Sequence, residues 1–114
     1  MDVEKAAVKT LLTQYYKRSV SQDRSEQASE VSDRLALDDE RGHYLWFRFG
    51  WQDRTLVQHV IMYLCIKDGK VWVEQDSTDL CIVDDLVAAG IPAQSIVLGF
   101  HHPQKRPLTE FATA

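Results

Sequence analysis

Asp53, Asp68 and Lys70 are the residues whose types and spacing come nearest to doing chemistry. A carboxylate followed by Asp-x-Lys loosely imitates metal-dependent nucleases, in which acidic side chains hold a divalent ion and a lysine orients the attacking water. Asp68 and Lys70, however, flank Gly69 in what reads as a hairpin tip, where side chains splay into solvent and hold an ion poorly. The turn is the preferred reading, and a small metal-dependent nuclease using these three residues is the alternative. Other constellations are weaker. His101 and His102 could ligate a metal with Glu110, but neighbours on an extended segment point in opposite directions. His43 and His59 fall on neighbouring candidate strands, where a histidine on an apolar face is more often structural than a proton shuttle. Asp38-Asp39-Glu40 and Asp79 with Asp84-Asp85 lack the carboxylate and glycine alternation of a calcium loop. The sequence contains no phosphate-binding glycine loop and no nucleophile elbow. No catalytic, cofactor-binding or metal-ligating residue is assigned, and a noncatalytic protein is expected.

Trp46, Tyr44, Trp51, Tyr63 and Trp72 could form a platform for single-stranded nucleic acid if they shared a face. Trp46 and Trp51 fall in opposite registers, which breaks up the platform, so core packing and subunit contact explain the aromatics better. The formal charge of −4 also argues against tight, independent DNA binding, which rests on neutralising phosphates with lysine and arginine. Basic residues are local, at Lys17-Arg18 and at His101-His102 with Lys105-Arg106.

A chain of 114 residues, 45% hydrophobic and 26% charged, suits one domain over residues 1–114 with one core. Cys65 and Cys81 stand apart, without zinc-like spacing, and are expected to be buried free thiols. The N-terminus has no signal-peptide pattern and no apolar run reaches a membrane span, so a cytoplasmic protein without membrane contact is expected.

These residues sit on elements that the periodicity predicts. Val3, Ala7, Leu11 and Tyr15, joined by Val8 and Leu12, mark one side of a helix over about 2–20. Strands are predicted over about 30–38, 43–51, 55–67 and 70–75, forming an antiparallel meander, with Asp68-Gly69 as a type I′ turn. In the second strand Leu45, Phe47, Phe49 and Trp51 alternate with Tyr44, Trp46, Arg48 and Gly50, and the first set is expected to face the core. The third strand is apolar in both registers, so helices or another subunit must cover the second face. A helix over 79–89 follows, capped by Ser77 or Thr78 and closed by Gly90 and Pro92. A short strand at Ile96-Val97-Leu98 and an extended, proline-stiffened tail complete an α+β fold.

Ile66-Lys67-Asp68-Gly69-Lys70-Val71-Trp72-Val73-Glu74-Gln75-Asp76, then Val97-Leu98-Gly99-Phe100-His101-His102-Pro103 and Arg106-Pro107-Leu108-Thr109-Glu110-Phe111-Ala112, resemble the XisI-like family of small cyanobacterial proteins. Asp38-Asp39-Glu40-Arg41 leading to Tyr44, and Gly50-Trp51-Gln52, extend the likeness over nearly the whole chain. Ser77 stands where the family pattern suggests glycine, His102 where it often has proline, and Arg48 and Leu56 to Gln58 are individual to this chain. The resemblance implies an accessory factor controlling developmentally programmed excision of the fdxN element, a site-specific recombination, alongside a recombinase and an XisH-like partner of nuclease-like fold. It implies protein contact, with any DNA contact indirect, and a homo-oligomer is expected. The expected docking residues are His101, His102, Lys105, Arg106 and Phe111 of the tail, with Trp46 and Trp72 as exposed sheet aromatics.

Overall fold

Hydrophobic periodicity of two over residues 32–76 and of about four at the N-terminus produces one sheet with a long helix laid across it. The computed structural model describes residues 3–22, 31–78, 80–99 and 111–112. In chain order the elements are α1 (Val3–Gln22), β1 (Ser32–Asp38), β2 (His43–Gln52), β3 (Thr55–Lys67), β4 (Lys70–Asp76), α2 (Ile82–Ala88), a 3-10 turn (Ala93–Ser95) and β5 (Ile96–Leu98). The sheet order is β1-β2-β3-β4-β5. The first four strands form the expected antiparallel meander, while β5 joins β4 in parallel, pairing Trp72 with Val97, and makes the sheet mixed.

Val8, Leu12 and Tyr15 are the buried residues of α1, four and three positions apart and so on one side of the helix. Val3, at the start of the expected stripe, is 58% exposed. The helix packs on β1, β2, β3 and α2. Beneath it lie Tyr44 and Trp46 of β2, Met62 and Leu64 of β3, and Val71 and Val73 of β4, joined by Ile82, Leu86, Ile91, Ile96 and Leu98.

The register of β2 is therefore the reverse of the expected one. Tyr44 and Trp46 face the core, whereas Leu45, Phe47 and Phe49 are only half-buried and Trp51 is 49% exposed. Both sets are bulky and apolar, so burial energy alone barely separates them; polar tips decide. Tyr44 Oη donates to Asp39 Oδ1 at 2.9 Å. Trp46 Nε1 donates to Asp33 Oδ2 at 3.2 Å, and Arg48 donates to the same carboxylate from Nε at 2.6 Å and from Nη2 at 3.3 Å. Ser19 Oγ of α1 donates to Asp33 at 3.0 Å, so one carboxylate ties helix to two strands. Burial pushes the Asp33 carboxyl up, but the hydrogen bonds from Arg48, Trp46 and Ser19 outweigh that and hold it below the ordinary carboxylate range. Asp39 is held low by the Lys9 ammonium, 2.8 Å away, and by Tyr44.

A bulge in the β2–β3 ladder, where Trp46 pairs with Met62 and Phe47 with Val60, leaves Ile61 as an extra residue. Ile61 and Met62 are both buried as a result. The β3–β4 turn forms as expected, with Asp68 at φ 54° and Gly69 at φ 73°, the left-handed pair of a type I′ turn.

Helix α2 starts three residues later than expected, at Ile82, and its N-cap Cys81 makes no side-chain cap bond. Thr78 is occupied otherwise: its Oγ1 donates to Asp76 at 2.6 Å and accepts from Leu80 N at 3.1 Å, closing a turn instead of a helix. The far end is as expected. Gly90 at φ 102° closes a Schellman motif, in which Gly90 N donates to Val87 O and Ile91 N to Leu86 O, both at 3.0 Å. Tyr15 Oη donates to Asp85 and ties α1 to α2; burial, then that carboxylate, push the phenol above its ordinary range. Cys65 is buried as expected, but Cys81 is exposed because it precedes the helix on the surface.

Asp33→Ala is expected to lower stability by roughly 2–3 kcal/mol, since it orphans three donors on two elements, α1 and β2; urea denaturation at neutral pH reads it. Because the folded carboxyl lies below its unfolded value of ~3.9, its stabilisation is complete above that pH and disappears as pH falls through the folded value. Asp33→Ala should accordingly lose less stability on acidification than the wild type, as followed by thermal melts between neutral and acid pH. Trp46→Ala should cost roughly 3–5 kcal/mol and Trp51→Ala less than about 1 kcal/mol, in the same urea assay; equal costs would contradict the observed register.

Candidate partner-docking surface

Asp53 and Asp68 occupy the turns at opposite ends of β3, whose 13 residues span about 40 Å at ~3.3 Å each. A single ion cannot bridge them, and the Asp53, Asp68 and Lys70 nuclease arrangement does not assemble. Among the described residues no three of His, Cys, Asp and Glu are grouped to hold a metal ion. His43 pairs with Cys65 and His59 with Arg48, at different levels and on opposite faces of the sheet. His43 Nδ1 instead meets Tyr63 Oη at 2.8 Å, a hydrogen-bonded structural histidine. Burial pushes the Cys65 thiol up, which makes it a poor nucleophile.

What the strands do assemble is a broad face on the side of the sheet away from α1. Strand register stacks it in rows: His43, Cys65 and Trp72; then Ala36, Leu45 and Tyr63; then Arg34, Phe47 and Val60; then Ser32, Phe49 and Gln58; and last Trp51 with Leu56. Leu45, Phe47, Phe49, Leu56, Val60, Tyr63 and Trp72 are half-buried here, held by the pleat yet open on one side. An open groove runs between Leu45, Phe47, Phe49 and Val60.

Two cations lie on its aromatic rings. Arg34 Cζ sits 5.2 Å from the Phe49 ring centre, and Lys67 Nζ sits 4.2 Å from that of Trp72. Such contacts shield ring faces with a charge that can also meet an acidic partner. Lys67 pairs with Lys70 beside the β3–β4 turn, while Asp38 opposes His43 in the same row and Glu74 acts on Tyr63 and Cys65, so cations and carboxylates meet at the Trp72 end of the face.

The expected docking residues do not all reach this surface. Trp46 is only 4% exposed and packs in the core with its Nε1 on Asp33, so it offers a partner no ring face; that expectation is corrected. Trp72 lies on the open face under Lys67. His101, His102, Lys105 and Arg106 lie outside the described residues. Phe111 packs against the core, and Ala112 bridges Val97, with its N–H donating to Ile96 O at 2.9 Å. The end of the tail is thus fastened to β5, next to Trp72.

Leu45, Phe47, Phe49 and Trp51 were expected to face the core. The available signal was the other register: Tyr, Trp and Arg have apolar bodies and polar tips, which fit a position under a helix with carboxylates at its margin.

The comparisons with known proteins agree with this architecture. The family model described as XisI protein matches residues 1–113. The crystal structure of the fdxN element excision controlling factor XisI from Anabaena variabilis ATCC 29413 is 46% identical, with a TM-score of 0.84, over 98% of this chain and 96% of that one. A XisI-like protein from the same organism is 40% identical, with a TM-score of 0.84, over 96% of this chain and 95% of that one. No curated protein matches. With a family model spanning almost every residue and solved relatives sharing fold and sequence over the same length, this chain belongs to the XisI family.

Proposed function

We propose that this chain is a noncatalytic, cytoplasmic controlling subunit for programmed excision of a DNA element, acting by contact with an XisH-like protein of nuclease-like fold. The observation that carries this reading is the half-buried aromatic face, with Lys67 stacked on Trp72 and Lys70 beside them, in a relative of a protein named as an excision controlling factor. An apolar, flat surface bordered by cations suits a protein partner with an acidic rim, because desolvating the rings supplies affinity and the cations select the orientation. Site-specific recombination itself then belongs to a recombinase, and DNA contact passes through the partner.

The tail is assigned a second set of contacts to the partner. Ala112 is bonded to β5 beside Trp72, and His101, His102, Lys105 and Arg106 lie between β5 and Phe111 in the sequence. In this proposal those basic residues, with Trp72, grip the partner, while Phe111 anchors the return.

Co-expression with the XisH-like protein, followed by size-exclusion chromatography with light scattering, should give a joint peak that survives high salt, since most of the contact is apolar. Trp72→Ala, or Lys105→Ala with Arg106→Ala, should weaken the complex roughly tenfold or more, about 1.4 kcal/mol. Separate peaks at both salt concentrations would refute the partner; a joint peak indifferent to all three substitutions would refute the docking site.

A further inference from the structure

The margins of the sheet are closed in different ways. Along β1 the edge carries charge: the Asp33 side chain points inward and is only 8% exposed, and Arg34 and Asp38 share the strand. Along β5 the edge is covered, since Ala112 bridges Val97 in parallel and its N–H donates to Ile96 O at 2.9 Å. Inward charge and a covering segment both keep a foreign strand from pairing. A further margin lies on β3, which β4 follows no further than Met62, opposite Asp76. Beyond that point Thr55-Leu56-Val57-Gln58-His59-Val60 has β2 on one side and, among the described residues, no strand on the other. This run contains no proline and no Lys, Arg, Asp or Glu.

Backbone direction makes this margin a receptor. The two-residue turn Asp53-Arg54 requires Gln52 and Thr55 to exchange hydrogen bonds across the hairpin. Alternation along an antiparallel ladder then makes Gly50 with Val57, and Arg48 with His59, the next bonded pairs. Leu56 and Gln58, opposite Trp51 and Phe49, therefore direct N–H and C=O away from β2 and into the open margin. Val60, next in the series, confirms the direction, because its C=O accepts from Gln75 Nε2 at 2.7 Å on the β4 side. Ser77 N donates to Ile61 O at 2.8 Å, and there the chain leaves the sheet through the Asp76–Thr78 turn. Leu56 and Gln58 thus present donors and acceptors in the alternating order that an extended backbone matches.

We propose that an extended segment of the protein partner adds to β3 here, as a strand in line with β4. The inference rests on the excision reading for the identity of that partner. The slot from Leu56 to Val60 takes about five residues, roughly 17 Å. Main-chain hydrogen bonds supply the affinity and alternate side chains the selection. On the open side the segment meets Leu56 and Val60 with Gln58 between them, and on the other it meets Val57 and His59. Its residues are uncharged, since nothing in the run offsets a charge desolvated against Leu56 and Val60, and none that bonds to β3 is proline.

Amide hydrogen exchange on the complex with the XisH-like protein, compared with the chain alone, is the test. The Leu56 and Gln58 amides should exchange freely in the chain alone and slow at least about tenfold in the complex, while Val57 and His59, already bonded to β2, change less. Gln58→Pro removes one outward N–H without touching the β2–β3 bonds and should weaken the complex about tenfold. Gln58→Ala keeps that N–H and should weaken it less; equal losses overturn the slot. A complex in which Leu56 and Gln58 exchange as in the free chain also overturns the slot and leaves the excision reading standing. Slow exchange of both amides without the partner overturns it as well, at every concentration because this chain fills its own slot, or only at high concentration because a second copy does. Failure of the two proteins to form a complex overturns the partner reading and this inference together.

Discussion

Asp33 is the residue on which the arrangement of the sheet turns. Its carboxylate accepts from Ser19 on α1 and from Trp46 and Arg48 on β2, while sitting on β1. Slipping β2 by one residue would turn Trp46 and Arg48 to the opposite face and strand the carboxylate under the helix. The cost of that unpaired, half-buried charge exceeds the small difference in burial between the two apolar sets of β2. A single polar network therefore chooses which aromatic residues form the core and which form the surface.

That choice has a functional consequence. The set that loses the competition for the core consists of Leu45, Phe47, Phe49 and Trp51, and it becomes the open face together with Val60, Tyr63 and Trp72. Helices cover one side of the sheet only, because α1 and α2 lie together and are tied by Tyr15 and Asp85. Among the described residues the second side carries no helix.

The connections fix the strands that carry this surface. The left-handed pair at Asp68 and Gly69, the Schellman closure at Gly90 and the Ala112 bond to Ile96 hold both ends of β4 and β5 in place. The bulge at Ile61 lets β3 bury two successive residues on the helix side while keeping Val60 on the other. Backbone geometry, rather than side-chain burial, keeps the open rows in register.

Much of this was legible from residues 3–98. Strand boundaries followed from alternation and turn chemistry because both are local, and the family was legible from motifs spread over the chain. The start of α2 was misplaced because Thr78 has a hydroxyl that suits either a cap or a turn, and only the neighbouring Asp76 carboxylate settles which. The sequence by itself determined the elements, their order and the presence of two apolar faces, since periodicity and turn residues act over a few positions. Only the tertiary structure decided which face is buried, that Trp46 is core and Phe49 surface, and that Asp53 and Asp68 stand far apart. Those outcomes depend on what Asp33 meets across three elements, and no short stretch of sequence encodes a contact between distant segments.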